Sequence, residues 1–372
     1  MKDKIIIAAG GTGGHIYPAL AIAKAVTQMN PECEVHFVGT PNGLETKLIP
    51  RENFPLHTIT IGRLNRNVGK WERLKTLLLM PWAFVQSVVV VLKLQPKWVL
   101  GVGGFASGPV LLVAALMGKK TFVWEPNAYP GMANRWLSPF VHAGLLLFQD
   151  SLKYLKLKKW YQVGYPLREV FSDVQKRAKV PVENGLLKIL VFGGSQGARA
   201  INNVVAELFS EVAKWKGRVE VVHQTGPIDF DAIQAKYVDC GCDFVQPFAY
   251  LYDMRDRYQW ADLVICRSGA GTLAELAAMS KASILVPLPW AADDHQKKNA
   301  QVLVEQKAAE MIEQKDLSVS SLERVIVELE KNRNKIGQME SAIHQFYEPN
   351  ATDHIVKILS GQEEEAHEAR SI

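Results

Sequence analysis

Short apolar runs alternate along the chain with longer segments of helical periodicity. Residues 4–9, 98–102 and 187–192 are apolar almost throughout, which is typical of strands buried on both faces of a parallel sheet. Segments such as 19–29 repeat their apolar residues at helical spacing, as expected of helices that cover such a sheet. The alternation predicts an α/β fold with doubly wound parallel sheets, in which ligands bind at the carboxyl ends of the strands.

The alternation stops after residue 164 and restarts near residue 187, which predicts two domains. The interval begins with glycine and proline and continues as a polar run, a composition typical of a linker. The 372 residues are enough for two full cores. We expect Rossmann-like domains that face each other across a cleft, with a terminal helix packed back on the first domain and a disordered acidic tail. The expected bounds are 1–165 and 166–344 for the domains, about 345–360 for the helix and 361–372 for the tail.

The first apolar run ends in Gly10-Gly11-Thr12-Gly13-Gly14-His15, and a helical segment follows it. Glycines on a strand-to-helix turn let the backbone approach a ligand, and the unpaired N–H groups of the helix start favour an anion, most often a phosphate. The run lacks the Lys-Ser/Thr of a Walker loop, and Ile16 occupies the third glycine position of a dinucleotide fingerprint. His15 is the only titratable side chain on the turn. We therefore expect chemistry at His15, and a tight turn without a ligand is the alternative for this motif taken alone.

Two later glycine turns admit other enzyme classes. Gly193-Gly194-Ser195-Gln196-Gly197 follows a strand and fits the nucleophile elbow of α/β-hydrolases, with His223 or His295 as the base. That interpretation leaves the first glycine turn without a role. The spacing of Gly269, Gly271 and Ala274 resembles a dinucleotide fingerprint, but the next strand ends without the acidic residue that would bind a ribose. The hydrolase and dehydrogenase interpretations therefore remain as alternatives.

Charge is divided unevenly along the chain. Residues 1–164 hold 19 Lys and Arg against 8 Asp and Glu, whereas the remainder is net acidic. A basic first half favours phosphates, an anionic membrane surface or nucleic acid as partners. The four cysteines show no CxxC pair and no zinc-binding spacing, which predicts reduced thiols in a cytoplasmic protein. The apolar run near the N-terminus is too short for the hydrophobic region of a signal peptide. Asp229-Phe230-Asp231 is expected to cap a helix rather than bind a metal.

The segment 76–92 carries no charge and lies between two lysines. Its length is borderline for a membrane span, and the strands predicted on both sides place it inside the first domain. We expect a partly buried helix whose start faces lipid, and the alternative is a wholly buried core helix. The lipid-facing residues are expected to be Leu74, Leu77, Leu78 and Trp82, ringed by Arg63, Arg66, Lys70, Arg73 and Lys75.

Five sequence blocks together resemble the signature of the MurG family of bacterial glycosyltransferases. They are Gly10 to His15, Val102-Gly103-Gly104-Phe105, Gly193 to Arg199, Cys266 through Glu275, and Asp293 to Ala300. The family implies a GT-B fold, inversion at the sugar carbon and no metal or other cofactor. It also implies transfer of N-acetylglucosamine (GlcNAc) from UDP-GlcNAc to the MurNAc of undecaprenyl-pyrophosphoryl-MurNAc-pentapeptide, the step from lipid I to lipid II of peptidoglycan synthesis. Other GT-B enzymes, such as an epimerase or a glycolipid glycosyltransferase, and a non-catalytic nucleotide-sugar sensor are the alternatives.

The resemblance also assigns roles to residues within the blocks. It implies an acceptor-binding and membrane-associating first domain and a second domain that binds UDP-GlcNAc. Glu275 is expected to accept both ribose hydroxyls, Ser195 to contact the diphosphate, Leu251 to line the uracil pocket, and Gln296 with His295 to lie at the GlcNAc hydroxyls. The remaining implied substrate contacts are Thr12, Gly13, Gly14, Asn127, Arg168, Ala270, Gly271, Thr272, Leu273 and Ala274.

Physical chemistry supports a base at His15. An inverting transfer needs the acceptor hydroxyl to lose a proton, and a histidine is suited to take it near neutral pH. Its place at a helix N-terminus disfavours the imidazolium and keeps the ring neutral. Binding of the acceptor's pyrophosphate and simple helix capping are the alternatives for this residue.

The family further implies a peripheral location at the cytoplasmic face of the bacterial inner membrane. Its expected partners are UDP-GlcNAc, the lipid-linked acceptor, an anionic membrane surface and other cell-wall synthesis proteins, with roles in cell shape and division. No nucleic acid partner is expected.

Overall fold

The apolar runs form two parallel β-sheets, one in each of two compact units. Unit 1 consists of Met1–Arg168 and Glu348–Ile372, and unit 2 consists of Glu169–Tyr347. The computed structural model describes residues 3–11, 13–62, 69–171, 185–289, 294–362 and 367–368. Two α/β domains with parallel sheets were expected from the sequence, and this fold class is confirmed.

Unit 1 contains an eight-stranded sheet in the order β14-β7-β6-β5-β4-β1-β2-β3. All its pairings are parallel except that of β14 with β7, which is antiparallel. Strand β1 lies between β4 and β2, so its carboxyl end is close to the ends of both neighbours. The strands are β1 (Lys4–Ala9), β2 (Glu34–Gly39), β3 (Leu56–Thr58), β4 (Trp98–Gly103), β5 (Lys120–Glu125), β6 (Ala143–Leu146), β7 (Lys159–Gln162) and β14 (His367–Glu368).

Helices cover both faces of this sheet. One face packs against the first and last helices of the unit, and the last helix contributes Ile355, Val356, Ile358 and Leu359 to their shared core. The other face packs against α3 and α4, with Val91 and Val110 in that second core. The helices are α1 (Gly13–Met29), α2 (Glu45–Arg51), α3 (Lys70–Leu94), α4 (Ser107–Leu116), α5 (Met132–Leu137) and α14 (Ala351–Ser360).

Unit 2 contains a six-stranded parallel sheet in the order β10-β9-β8-β11-β12-β13. Apolar residues of β8 and β11 are fully buried, as expected of central strands. Its strands are β8 (Leu187–Phe192), β9 (Val219–Gln224), β10 (Val245–Phe248), β11 (Leu263–Cys266), β12 (Ala282–Leu285) and β13 (Glu310–Met311). Its helices are α6 (Arg199–Phe209), α7 (Val212–Trp215), α8 (Phe230–Asp239), α9 (Met254–Trp260), α10 (Ala270–Ala278), α11 (His295–Glu305), α12 (Val319–Lys331) and α13 (Arg333–His344).

Two local features differ from the sequence expectations. Strand β3 ends at Thr58, three residues earlier than the apolar run to residue 61 suggests. The acidic tail contains the two-residue strand β14, because β7 offers it an open sheet edge. The rest of the tail beyond residue 362 lies outside the described residues.

Cysteine pairing also differs from the expectation. Cys240 and Cys242 form a disulfide with Cα atoms 5.7 Å apart, so the prediction of four reduced thiols is wrong for this pair. Gly241 between them has φ +71°, a left-handed conformation that turns the backbone back on itself and brings the two side chains together. Cys33 and Cys266 are free and buried.

A buried polar cluster lies at the end of the unit 2 sheet. His223 is fully buried, its Nδ1 lies 2.9 Å from the hydroxyl of Tyr237, and its Nε2 lies 3.2 Å from Oδ1 of Asn202. Burial lowers the pKa of the His223 imidazole to about 3. The ring is therefore neutral in the folded protein at neutral pH, and both of its nitrogens have partners.

Because His223 is buried and neutral, we expect the folding stability of unit 2 to decrease in acid. The unfolded chain protonates His223 below pH 6.5, whereas the folded protein does so only near pH 3. Folding stability should therefore fall as the pH drops through this interval, by up to about 1.4 kcal/mol per pH unit. His223→Gln should remove this part of the decline when urea unfolding of unit 2 is followed between pH 7.5 and 5. His354→Gln in unit 1 is the control, and an equal decline in wild type and His223→Gln would contradict the prediction.

Candidate functional site

The first glycine turn lies at the carboxyl end of β1 and leads into α1. Gly11 has φ +94°, and α1 begins at Gly13. Gly104 on the loop after β4 has φ +89° and packs so closely on Gly10 that a Cβ atom would overlap its backbone. The two glycine turns of unit 1 therefore pack against each other, as the neighbouring positions of β1 and β4 require. Thr12 lies outside the described residues.

His15 lies in the first turn of α1 with its ring directed back toward the end of β1. Its Nδ1 is 3.3 Å from the carbonyl oxygen of Gly10. A carbonyl only accepts hydrogen bonds, so Nδ1 carries the proton and Nε2 carries a lone pair in the neutral ring. A Cβ atom on Gly103 would lie 2.8 Å from Nε2 and from Cδ2, so glycine at this position leaves the space that the ring occupies. The ring is thus held in the tautomer that can accept a proton at Nε2.

The other predicted residues of unit 1 include Gly13, Gly14 and Arg168. Tyr165 donates a hydrogen bond from its hydroxyl to the carbonyl of Gly14, 3.2 Å away. Gly13 packs against the ring of Tyr17. Arg168 is exposed at the end of the unit. The structure therefore brings Gly13, Gly14 and His15 together on one turn.

A buried carboxylate orients Asn127. Glu125 ends β5 and accepts hydrogen bonds from the backbone N–H and the side-chain amide of Asn127, each 3.0 Å long. Its second oxygen accepts from the backbone N–H of Gly131 and the amide of Asn134, each 2.9 Å. Burial raises the pKa of the Glu125 carboxyl, although these four hydrogen bonds oppose the shift. Glu125 was not predicted as a site residue, and its position at the end of a strand, two residues before Asn127, is the sequence signal that could have identified it.

A further glycine turn, Gly193 to Gly197, follows β8 in unit 2. Gly194 has φ +96°, and Ser195 is exposed at the tip of the turn. Gly197 has φ +75° and lies against the backbone of Thr225, where no side chain fits. The turn is thus shaped by glycines and presents Ser195 outward.

Gln224, a residue that the sequence analysis did not identify, connects this turn to the predicted uracil pocket. Its Nε2 donates to the carbonyl of Gly194 at 2.9 Å, and its Oε1 accepts from the backbone N–H of Leu251 at 3.2 Å. Gln224 and Leu251 are both buried. One amide therefore fixes the distance between the glycine turn and the segment that carries Leu251.

Helix α10 places Glu275 one turn and a half from its start. The helix begins at Ala270 after an extended Gly269. Oε2 of Glu275 accepts a hydrogen bond from the hydroxyl of Tyr258 at 3.0 Å. Tyr258 is fully buried and meets the rings of Phe171 and Phe192 edge-on. The phenol therefore holds the carboxylate in a fixed position, and Tyr258 is a second residue that the sequence analysis missed.

The remaining block residues of α10 differ in exposure. Ala270, Gly271, Thr272 and Ala274 are half-buried. Leu273 is buried in the domain, so its contribution to a ligand is limited to its backbone.

The start of α11 carries His295 and Gln296. The side-chain oxygen of Gln296 accepts from the backbone N–H of Leu288 at 3.0 Å, and its backbone carbonyl accepts from the hydroxyl of Ser268 at 2.8 Å. With its oxygen engaged in this way, the Gln296 amide offers its N–H donors to a ligand. His295 is half-buried, and residues 290–293 before it lie outside the described residues.

The structure weakens the hydrolase alternative. A nucleophilic serine needs an adjacent base, but His223 is buried, neutral and bonded to Tyr237 and Asn202. Asp229 is the N-cap residue of α8, so the predicted helix start is correct, but its side chain makes no capping hydrogen bond. Its carboxylate instead accepts from Arg199 and Asn202, each at 3.0 Å, because both donors lie on the adjacent α6. Within the described ranges, no group of three or more metal-ligating side chains is found.

Helix α3 turns large apolar residues outward and small or polar residues inward. Its buried face contains Thr76, Ala83, Ser87 and Val91. The exposed residues include all four that were expected to face lipid. They are Trp71, Leu74, Leu77, Leu78, Trp82, Val85, Val88, Val89 and Leu92.

The helix Trp71–Leu94 contains an apolar window of 18 residues with a mean hydropathy of 2.0, which makes the helix long and apolar enough to span a membrane. Only 22% of its apolar window is buried, so the alternative of a wholly buried core helix is wrong. Its packing on α4 leaves the opposite face uncovered by the described residues of unit 1. Arg63 and Arg66 lie outside the described residues.

Comparison with known proteins agrees with the sequence blocks and the fold. Residues 5–145 match the N-terminal domain of glycosyltransferase family 28, and residues 188–355 match its C-terminal domain. A protein of Bdellovibrio bacteriovorus is 46% identical over 96% of this chain and 98% of its own length. A protein of Myxococcus xanthus is 38% identical over 95% of this chain and 92% of its own length. Both are named UDP-N-acetylglucosamine–N-acetylmuramyl-(pentapeptide) pyrophosphoryl-undecaprenol N-acetylglucosamine transferase.

Solved structures give the same result. The crystal structure of Acinetobacter baumannii MurG matches with a TM-score of 0.80 and 30% identity over 96% of this chain and 99% of that one. A putative UDP-N-acetylglucosamine 2-epimerase of Listeria monocytogenes matches with a TM-score of 0.68 at 13% identity, which shows a shared fold alone. The resemblance drawn from the five sequence blocks is confirmed, and the chain belongs to the MurG family within glycosyltransferase family 28.

Proposed function

We propose that this chain transfers GlcNAc from UDP-GlcNAc to the MurNAc of a pyrophosphoryl-undecaprenol-linked pentapeptide and releases UDP. The observation that carries the proposal is the 46% identity to a named transferase over nearly the full length of both chains. The roles proposed for individual residues come from the family resemblance, and the geometry of the described residues supports them.

Unit 2 binds the donor. The first N–H groups of α10 have no partner within the helix, and together with the helix dipole they suit the diphosphate of UDP. They also stabilise the charge that develops on the β-phosphate as the bond to GlcNAc breaks. Glu275 accepts the ribose hydroxyls, because a carboxylate takes several hydrogen bonds and the one from Tyr258 fixes its orientation.

Other residues make the remaining donor contacts. Ser195 contacts the diphosphate from the glycine turn that Gln224 ties to Leu251, and Leu251 marks the uracil pocket. Gln296 donates from its amide to the GlcNAc hydroxyls beside His295. The further donor contacts are Asn127 and Arg168 in unit 1 and the backbone of Ala270, Gly271, Thr272, Leu273 and Ala274.

Unit 1 binds the acceptor and carries the base. The acceptor hydroxyl attacks the anomeric carbon while Nε2 of His15 takes its proton, and the bonding electrons leave with UDP. Support comes from the contact between Nδ1 and the Gly10 carbonyl, which favours the Nδ1–H tautomer, in which Nε2 is the basic nitrogen. The turn formed by Thr12, Gly13 and Gly14 lies directly before His15 and contacts the substrates.

The exposed apolar face of α3 binds the membrane that holds the acceptor. Nine large apolar side chains on one surface helix form a patch that soluble domains rarely expose. With the basic residues of the first half, this patch suits peripheral binding to the cytoplasmic face of an anionic inner membrane. Association with other cell-wall synthesis proteins at that surface follows from the same location.

The transfer reaction has a direct test. UDP release from UDP-GlcNAc should depend on a lipid-linked muramyl acceptor, and GlcNAc should be recovered in the lipid product. Release without the acceptor would favour an epimerase or a hydrolase. Conversion of UDP-GlcNAc to an epimer would identify the epimerase.

His15→Ala should lower kcat by about 10²–10⁴-fold, because the acceptor hydroxyl loses its base. The affinity for UDP-GlcNAc should remain close to that of the wild type, since His15 is proposed to act on the acceptor hydroxyl and not to bind the donor. Steady-state kinetics with both substrates varied will separate the two parameters. A raised acceptor KM with unchanged kcat would instead make His15 a pyrophosphate-binding residue.

If α3 binds the membrane, a polar substitution on its exposed face should weaken vesicle binding, whereas one on unit 2 should not. Leu78→Ser should weaken cosedimentation with anionic vesicles, because it removes an apolar side chain that is 73% exposed on this helix. Ile228→Ser is the matched control, since Ile228 is 72% exposed but lies on unit 2. Added salt should weaken binding of the wild type. Equal binding of the two variants, or of the wild type to neutral and anionic vesicles, would contradict the prediction.

A further inference from the structure

Glu45 lies completely buried behind the first glycine turn. It is the first residue of α2, and its side chain is enclosed by Gly10, Gly39 and Gly43. A Cβ atom on Gly10 or Gly39 would come within 2.7 Å of the Glu45 side chain, and one on Gly43 would come closer still. The backbone around the carboxylate is therefore built of glycines that leave just the space it needs.

The Glu45 carboxylate is held by hydrogen-bond donors. Oε1 accepts from the backbone N–H of Thr40 at 2.9 Å and from its hydroxyl at 2.6 Å. Oε2 accepts from the backbone N–H of Gly11 at 3.0 Å. Burial by itself would raise the pKa of this carboxyl, but the hydrogen bonds from Thr40 and Gly11 outweigh it and the pKa is lowered. Glu45 is therefore ionised at neutral pH.

No cation pairs with this buried charge among the described residues. The described donors to the carboxylate are neutral dipoles, and in a buried environment its field is weakly screened. A group that is hydrogen-bonded to the other end of one of these peptide dipoles therefore experiences the negative charge of Glu45.

One peptide group connects Glu45 to His15. The N–H of Gly11 and the C=O of Gly10 belong to the same amide, and they point in opposite directions. The N–H donates to Glu45, and the C=O accepts from Nδ1 of His15. An amide whose N–H is bonded to a carboxylate is polarised, so its carbonyl oxygen becomes a better acceptor.

We propose that Glu45 is a positioning residue which, through the Gly10–Gly11 peptide, fixes His15 as the Nδ1–H tautomer and stabilises the imidazolium that forms when Nε2 takes a proton. The arrangement matches the carboxylate–histidine pair of serine hydrolases in its logic, with a peptide group inserted between the two side chains. The inference rests on the proposed role of His15 as the base.

The proposal has a signature in the pH dependence of turnover. Glu45→Gln keeps the shape of the side chain but removes its charge, so the imidazolium of His15 loses stabilisation and its pKa falls. The acidic limb of the kcat–pH profile should therefore move to lower pH by about half a unit to one unit. The plateau of kcat should drop about tenfold, since a weaker base accepts the proton less readily. NMR titration of the His15 ring should show the same downward shift without relying on activity.

Two further variants separate this role from simple disturbance of the fold. Thr40→Val removes a hydrogen bond from the same buried cluster but keeps the charge, so its acidic limb should stay where the wild type has it. Glu45→Asp keeps the charge but withdraws it from Gly11, and should give a smaller shift in the same direction as Glu45→Gln. It also provides a second variant if Glu45→Gln does not fold.

A double-mutant cycle distinguishes failure of this inference from failure of the proposed base. In a His15→Ala background, Glu45→Gln should change kcat by less than about twofold, because the residue through which it acts is absent. If His15→Ala lowers kcat but Glu45→Gln leaves the limb and the ring titration unmoved, or lowers kcat further in the double variant, Glu45 is structural and this inference is overturned. If His15→Ala leaves kcat unchanged, the proposed base and this inference both fail.

Discussion

Both units of this protein depend on burying each face of a parallel sheet. Central strands such as β1 and β8 are apolar on both sides because helices cover both sides. The polar residues of the candidate site therefore collect at the carboxyl ends of the strands, where loops lead into helices. His15, Glu125 and Ser195 all follow or end such strands. The location of the site residues is therefore a consequence of how the sheets are packed.

The sequence was sufficient for features whose causes are local. Continuous apolar runs predicted the strands, and glycines followed by helical periodicity predicted the turns that carry His15 and Ser195. The start of α10 and the place of Glu275 on it follow from the same kind of pattern. These predictions succeeded because a buried strand and a glycine turn each restrict their own residues, whatever the rest of the chain does.

The partners of the site residues could not be found in this way. Glu45 contacts Gly11 across 34 positions, Gln224 contacts Leu251 across 27, and Tyr258 contacts Glu275 across 17. A glutamate that begins a short helix, or a glutamine at a strand end, has no local sequence property from which such a contact can be predicted. The full extent of the exposed face of α3, from Val85 to Leu92, has the same origin, since the buried part of a helix depends on where its neighbour α4 covers it. Even a correct fold class leaves these pairings open until the strands are in register.

The position of α14 has a consequence for synthesis of the protein. Unit 2 is continuous in sequence, but unit 1 takes part of its core from Ile355, Val356, Ile358 and Leu359, which follow all of unit 2 along the chain. A ribosome therefore produces the partner of α1 only after an entire second domain has been made. Until then, one apolar face of the nascent first domain remains open, and chaperones that bind exposed apolar segments have a long interval in which to act.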